Sequence, residues 1–309
     1  MLWIDDLLLL VHVQAMSRTA YVNGQYLPVS RAAVSIEDRG FQFADGVYEV
    51  CAVFAGQLLD LEGHLVRLAR SCHELKIPLA MSDRALVSVM REVIRRNHVQ
   101  QGIIYVQVTR GVARRDHPFP AVDTPPSLVM TARSMDMAGK ARLVRTGVAV
   151  SVQPDIRWSR CDIKSVSLLP NVLAKQAAKE TGAFEALFVD GEIVTEGGST
   201  NMWMVDDKGR VLTHPNDRSI LSGIMRDTLI RVARAAQIQV QEEKFTLADM
   251  QQAAEAFLTS TTAPCIPIIK IDDRLVDGGT PGPVTTRLAQ LMWAEITRQT
   301  GYVLPAGTL

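Results

Sequence analysis

Long apolar runs are missing from this sequence. No stretch approaches the ~20 residues that a membrane-spanning helix needs, so no membrane partner is expected. Cysteine is scarce as well. Cys51, Cys72, Cys161 and Cys265 are scattered, with no CxxC pair. That excludes a disulfide scaffold or a cysteine-based metal site, and the four read as reduced, buried thiols of a cytoplasmic protein. Charge of one sign is not in excess. Lysine plus arginine and aspartate plus glutamate both number 33, which speaks against a nucleic-acid partner. GxGxxG and P-loop motifs, internal repeats and low-complexity tracts are also absent.

What is present is ordinary globular material. Of 309 residues, 47% are hydrophobic and 21% charged, enough for one large or two medium domains. Residues 7–13 are apolar but follow Asp5 and Asp6 with no basic segment, which argues against a signal peptide. Residues 1–15 read as an upstream extension dispensable for function.

Local signals divide the rest. Asn23-Gly24 marks a hairpin. Residues 47–54 read as a strand. Leu61, Leu65, Leu68, Cys72 and Leu75 share one helical face. Ser82 is an N-cap for a second helix. Strands follow at 103–109 and 127–132, around a long loop at 111–126. Residues 134–142 break the pattern and are expected to link a small N-terminal domain (16–133) to a large C-terminal one (143–309). The second half reads as a strand at 147–152 and a helix at 166–179. Hairpins follow around Asp190-Gly191 and Asp207–Gly209, then a helix capped by Ser222. A capping box at Thr246–Asp249, a strand at 256–260, a hairpin at 266–275 and a helix opened by Pro283 complete it. Hairpins alternate with helices, so the expected class is a two-domain α+β fold within the α/β group, not a doubly wound parallel sheet.

Several polar residues sit in apolar surroundings. Lys164 lies between a strand and a helix; a lysine taken out of water becomes a nucleophile, whereas most lysines in loops are simply solvated. Glu196 ends a hydrophobic strand before Gly197-Gly198; it suits a buried ligand contact or is an exposed strand-end acid. The helix entered at Gly223-Ile224 offers free N–H groups to an anion, and the hydroxyls of Thr259–Thr262 add donors; plain capping is the simpler alternative for either piece. Arg115 and His117 lie on a proline-braced loop that is either a carboxylate clamp or a solvated basic loop. Arg67, beside His64, sits next to an apolar helix face and either snorkels or binds a buried anion. A lysine, an acid for a ring nitrogen, an anion cup and a carboxylate clamp together suggest pyridoxal phosphate chemistry.

These residues lie in longer motifs. They are Glu37–Glu49 (EDRGFQFADGVYE), His64–Leu68 (HLVRL), Gln107–Gly111 (QVTRG), Asp155–Ser165 (DIRWSRCDIKS), Val194–Gly197 (VTEG) and Leu258–Thr262 (LTSTT). In this order, and over nearly the whole chain from about Tyr21, the sequence resembles the fold-type IV (class IV) aminotransferases, with the Arg115-x-His117 loop pointing to the D-amino-acid subgroup. The resemblance implies a homodimer that binds pyridoxal 5'-phosphate and needs no metal. Lys164 would form the internal aldimine and carry the proton to and from Cα. Glu196 would pair with the pyridinium nitrogen. Arg67, the N–H groups of Ile224 and Met225, Ser260 and Thr261 would hold the phosphate, and Leu221 would pack on the ring. Tyr48, Arg115 and His117 would hold the substrate carboxylate, the last two from the partner subunit. The implied reaction is ping-pong transamination between a D-amino acid of the D-alanine type and a 2-oxo acid such as 2-oxoglutarate or pyruvate. A branched-chain L-amino-acid aminotransferase is the nearest alternative. An (R)-amine transaminase, an aminodeoxychorismate lyase and a binding protein on a retired scaffold follow. Two positions depart from the pattern. Met225 stands where relatives carry a hydroxyl, which implies weaker phosphate binding, and Gly198 replaces a small hydroxyl residue.

Overall fold

The computed structural model describes residues 18–79 and 81–309, so the expected extension at 1–15 lies outside the described residues. Two sheets organise the chain. The first is built from β1 (Thr19–Val22), β2 (Gln25–Pro28), β3 (Gly46–Phe54), β4 (Gln57–Leu58), β5 (Gln101–Thr109) and β6 (Ser127–Ser134), in the order β2-β1-β6-β5-β3-β4. Every pairing in it is antiparallel. The β1–β2 turn needs two positive φ values, 45° at Asn23 and 94° at Gly24; these are the residues that tolerate them. Among the described residues three α-helices accompany this sheet: α1 (Arg39–Phe43), α2 (Leu61–Glu74) and α3 (Asp83–Arg96). Ser82 caps α3 as its position implies, accepting from the Ala85 N–H, and Leu86, Met90, Val93 and Ile94 form the buried face.

The second half holds α4 (Met137–Thr146), β7 (Val148–Pro154), α5 (Leu169–Glu180), β8 (Glu185–Asp190), β9 (Ile193–Gly197), β10 (Asn201–Val205) and β11 (Val211–Thr213). It continues through α6 (Ile224–Ala235), β12 (Val240–Glu242), α7 (Leu247–Gln251), β13 (Glu255–Ser260), β14 (Ala263–Ile271), β15 (Arg274–Leu275) and α8 (Pro283–Thr300). The sheet order is β12-β11-β10-β13-β14-β7-β8-β9, with β15 on β14. It is mixed: β7 runs parallel to β14 and β8, and β11 to β12, while the hairpins pair antiparallel. Among the described residues no helix is long and apolar enough to cross a membrane.

The segment read as a linker is largely helical. Asp136 accepts from the Gly139 N–H and caps α4, which buries Met137, Ala141 and Val144. Gly139 and the short length hide this i, i+4, i+7 pattern. The Ser222-capped helix needs a smaller correction. Gly223 is the N-cap of α6, and the Ser222 hydroxyl turns instead to Asp227. The Thr246–Asp249 capping box forms as expected.

The halves share apolar packing. Ala52, Phe54 and Leu59 join Trp203, Leu229, Phe257 and Trp293 in one buried cluster. Asp60, at the entry to α2, accepts from Thr228 and Gln299 of the second half, at 3.0 and 2.8 Å. A cavity lined by residues of both halves lies where they meet.

Candidate active site

Lys164 reaches the cavity because its own segment is sewn to the first sheet. The Lys164 carbonyl accepts from the Tyr48 N–H at 2.9 Å, and the Val166 N–H donates to the Gly46 carbonyl at 3.0 Å. Ser165 thus bridges Val47 antiparallel, like one residue of an extra strand on β3. The Lys164 N–H donates to Ser71 Oγ of α2. This pairing helps explain why α5 starts at Leu169 and not at 166: residues 164–166 are occupied with β3. Lys164 is half-buried, not sealed from water, because it faces an open cavity. Its Nζ lies 4.4 Å from the centroid of the Tyr48 ring, and Tyr48 stacks on Tyr105.

Glu196 stands opposite on β9 and is 6% exposed. Its Oε2 accepts from the Leu221 N–H at 3.0 Å and from Asn201 Nδ2 at 3.2 Å. Its Oε1 is paired with the Arg157 guanidinium. Burial pushes the Glu196 carboxyl up; Arg157 leads the influences that oppose it, followed by the Leu221 N–H and Lys164. Asn201 Nδ2 also donates to the Leu221 carbonyl, so Leu221 is fixed from both sides.

The third element is an anion cup. Arg67 lies on the buried face of α2, where Leu61 and Leu65 are only half-buried; the interior arc is His64, Arg67, Leu68, Ser71 and Cys72. Its guanidinium grips Glu49 of β3 with two bonds, at 2.7 and 2.9 Å, and its Nη1 donates to the Ser222 carbonyl at 2.8 Å. His64 Nδ1 is 2.8 Å from Glu49. Burial lowers the His64 pKa despite that carboxylate, so a neutral ring donates its Nδ1 proton, since a carboxylate only accepts. Beside Arg67, α6 begins. No side chain caps it among the described residues, and its first turn bond runs from the Asp227 N–H to the Gly223 carbonyl. The N–H groups of Ile224, Met225 and Arg226 therefore precede the helical ladder. An added Cβ at Gly223 would collide with Asn201 Oδ1, so the chain needs glycine to enter here. The Met225 side chain packs into the core with Trp203 and Leu229; its backbone, not its side chain, is what it offers an anion.

One cavity, with about 120 Å³ of space open to water, joins these parts. Lys164, Glu196, Arg67, Leu221, Ile224, Met225, Ser260, Thr261 and Tyr48 all line it. Arg115 and His117 do not. Both are exposed on the 111–126 loop and pack on Phe43. That loop is held from below: Arg39 donates to the Asp116 and His117 carbonyls, and Arg110 stacks under Phe119. Cys161, expected among buried thiols, is half-buried on the cavity wall. Sequence reasoning assigned no role to Arg157 or Glu49, although both lie inside quoted motifs. The Asp155-x-Arg157 spacing was the one local hint of an ion pair.

Comparison with known proteins follows the same line. The family model for amino-transferase class IV matches residues 46–271. A D-alanine aminotransferase of Staphylococcus haemolyticus is 39% identical over 270 residues, covering 87% of this chain and 95% of the relative. A D-alanine aminotransferase of Bacillus licheniformis is 38% identical over 278 residues, covering 90% and 97%. Among solved structures, a branched-chain amino acid aminotransferase from T.th., complexed with N-(5'-phosphopyridoxyl)-L-glutamate, superposes with a TM-score of 0.81 at 25% identity, covering 93% of this chain and 95% of that one. The cavity fits such a cofactor. It presents one amine, one carboxylate with an oxygen lone pair to spare, and an uncapped helix N-terminus beside an arginine, which suit an aldehyde, a ring N–H and a phosphate. The chain belongs to the class IV aminotransferases of fold type IV and is a pyridoxal phosphate-dependent transaminase.

Proposed function

We propose that this protein is a cytoplasmic homodimer that exchanges the amino group of a D-amino acid, of the D-alanine type, with a 2-oxo acid such as 2-oxoglutarate. The observation that carries this reading is the 39% identity, over 87% of the chain, to relatives named D-alanine aminotransferase. The Arg115-x-His117 loop supports it. Pyridoxal phosphate, when bound, supplies the electron sink that lets an amino acid release its Cα proton.

The chain's own residues do the rest. Lys164 Nζ takes the Cα proton of the donor amino acid and, in the second half-reaction, delivers one to the same face of the Cα that derives from the oxo acid. Glu196 accepts the ring N–H. Arg67, the N–H groups of Ile224 and Met225, and the hydroxyls of Ser260 and Thr261 bind the phosphate. Leu221, fixed by Glu196 and Asn201, packs against the ring. Tyr48 borders the substrate side. Arg115 and His117 complete the carboxylate clamp from the partner subunit. Their loop is rimmed by exposed apolar side chains, with Ile36 at 78%, Phe41 at 71% and Phe119 at 59% exposure, a surface suited to a second copy.

A turnover assay tests this directly. D-alanine and 2-oxoglutarate are expected to give pyruvate and D-glutamate in equal amounts, with L-leucine unreactive. A second reading, branched-chain L-amino-acid transamination, has the structural neighbours in its favour. Turnover of L-leucine with no reaction of D-alanine would establish it instead.

A further inference from the structure

We propose that Arg157 is a positioning residue, which holds the Glu196 carboxylate ionised and aimed at the ring nitrogen of the cofactor, with Asp155 and Thr195 as the struts behind it. The proposal rests on the cofactor reading above and deepens it.

A carboxylate as buried as Glu196 would take up a proton if left alone. Arg157 opposes that by direct pairing with Oε1. The guanidinium is not free to swing away. Its Nε donates to Asp155 Oδ1 at 2.9 Å, and its Nη2 to Asp155 Oδ2 at 2.6 Å and to the Ser219 carbonyl at 3.0 Å. It also lies over the Phe188 ring, 4.6 Å from the centroid. Asp155 is braced in turn by the Thr195 hydroxyl, which donates to Oδ2 at 2.7 Å.

Counting lone pairs gives the arrangement a direction. Each carboxylate oxygen accepts two bonds. Oε2 of Glu196 already has two, from Leu221 and Asn201. Oε1 has one, from Arg157. The single remaining lone pair is on Oε1, and Glu196 and Arg157 both line the cavity. The triad of Asp155, Arg157 and Glu196 carries one net negative charge, which matches one pyridinium. The other titratable groups acting on Glu196 or Arg157 are Lys164 and Cys161, from the same 155–164 segment.

The test uses holoenzyme reconstituted with cofactor isotopically labelled at the ring nitrogen. NMR of that nitrogen reports its protonation without turnover. Wild type is expected to keep the nitrogen protonated near neutral pH. In Arg157→Gln it is expected to be unprotonated, although the visible band of the lysine-bound cofactor shows full occupancy. The half-reaction with D-alanine then slows by about tenfold or more, a shift of about one pH unit in the controlling group, and recovers as the pH rises and Glu196 ionises. Arg157→Lys, which keeps the charge, restores the protonated signal. A residue that merely tied the loop to β9 would change thermal stability and leave the nitrogen signal alone. An Arg157→Gln enzyme with the wild-type nitrogen signal and rate overturns the proposal. Should that variant not fold, Asp155→Asn decides: freeing the guanidinium shifts the nitrogen titration by about half a pH unit in the same direction, and an unmoved titration overturns the proposal. If wild type shows neither a visible band nor conversion, the cofactor reading fails; if wild type behaves and the variants match it, only the role of Arg157 fails.

Discussion

Glu49 fixes how Arg67 is used. By taking Nε and Nη2 it orients the guanidinium and leaves protons on Nη1 and Nη2 for an anion. The Arg67 guanidinium and the His64 bond bring the buried Glu49 carboxyl down to about 2, against the opposing effect of burial. A group lowered from 4.5 to about 2 contributes stability that is fully present above its unfolded value and is lost as pH falls through the folded one. Its share is on the order of 3 kcal/mol. Acid unfolding followed by circular dichroism should therefore lose this component in Glu49→Gln, leaving a flatter stability profile below the ordinary carboxylate pKa. The same variant is expected to release the cofactor phosphate more readily. Two further outcomes belong at this scale. Lys164→Ala should bind the cofactor without the visible band and lose turnover; a fully active variant would remove Lys164 from its role. Arg115→Ala should raise KM for D-alanine by tenfold or more, about 1.4 kcal/mol or above, while cofactor affinity stays near wild type. A substrate amine lacking the carboxylate should not feel the change. Motif order made Lys164, Glu196 and Arg67 legible as candidates. Arg157 and Glu49 were not, because their partners lie 39 and 18 residues away and nothing local announces the pairing.

Elements were legible where their signal is local. Asn23-Gly24 turns a hairpin and Thr246 caps with Asp249 because turn and cap chemistry is decided within four residues. The N-terminus of α6 was harder. A serine beside a helix start reads as a cap, but Ser222 bonds Asp227, and the helix enters through Gly223 with its N–H groups facing the cavity. An uncapped end costs stability, and the phosphate proposed to bind there would offset it. The start of α8 shows the opposite solution. Glu255, buried on β13, accepts from the Val284 and Thr285 N–H groups at 2.9 and 2.7 Å. Glu255→Ala should lower stability by about 2–3 kcal/mol, read from denaturant unfolding, with turnover per folded molecule unchanged. Gly282 lies so close to Glu255 that an added Cβ would overlap its carboxylate, so Gly282→Ala should disturb the same cap.

At the scale of the molecule, chemistry comes from two sheets meeting. Tyr48, Glu49 and Arg67 come from the first sheet and its helix; Glu196, Leu221 and the α6 N-terminus come from the second. Lys164 belongs to the second half in sequence but hydrogen-bonds along β3 of the first. The α+β class could be read from alternating hairpins and helices. The 134–142 segment could not be read as helical, because a glycine interrupts its short apolar pattern. The order of strands in the second sheet, with β7 between β14 and β8, depends on long-range pairing that periodicity does not encode. The proposed substrate clamp lies at the largest scale, since Arg115 and His117 stand outside the cavity of a single chain. The most direct measurement is therefore one half-reaction without any oxo-acid acceptor. Purified, cofactor-loaded protein is mixed with D-alanine, and separately with L-leucine, and the visible band of the lysine-bound cofactor is followed. The account predicts that D-alanine abolishes the band and releases one pyruvate per site, while L-leucine leaves it intact. Loss of the band with L-leucine alone would contradict the D-amino-acid assignment and leave Arg115 and His117 without a role.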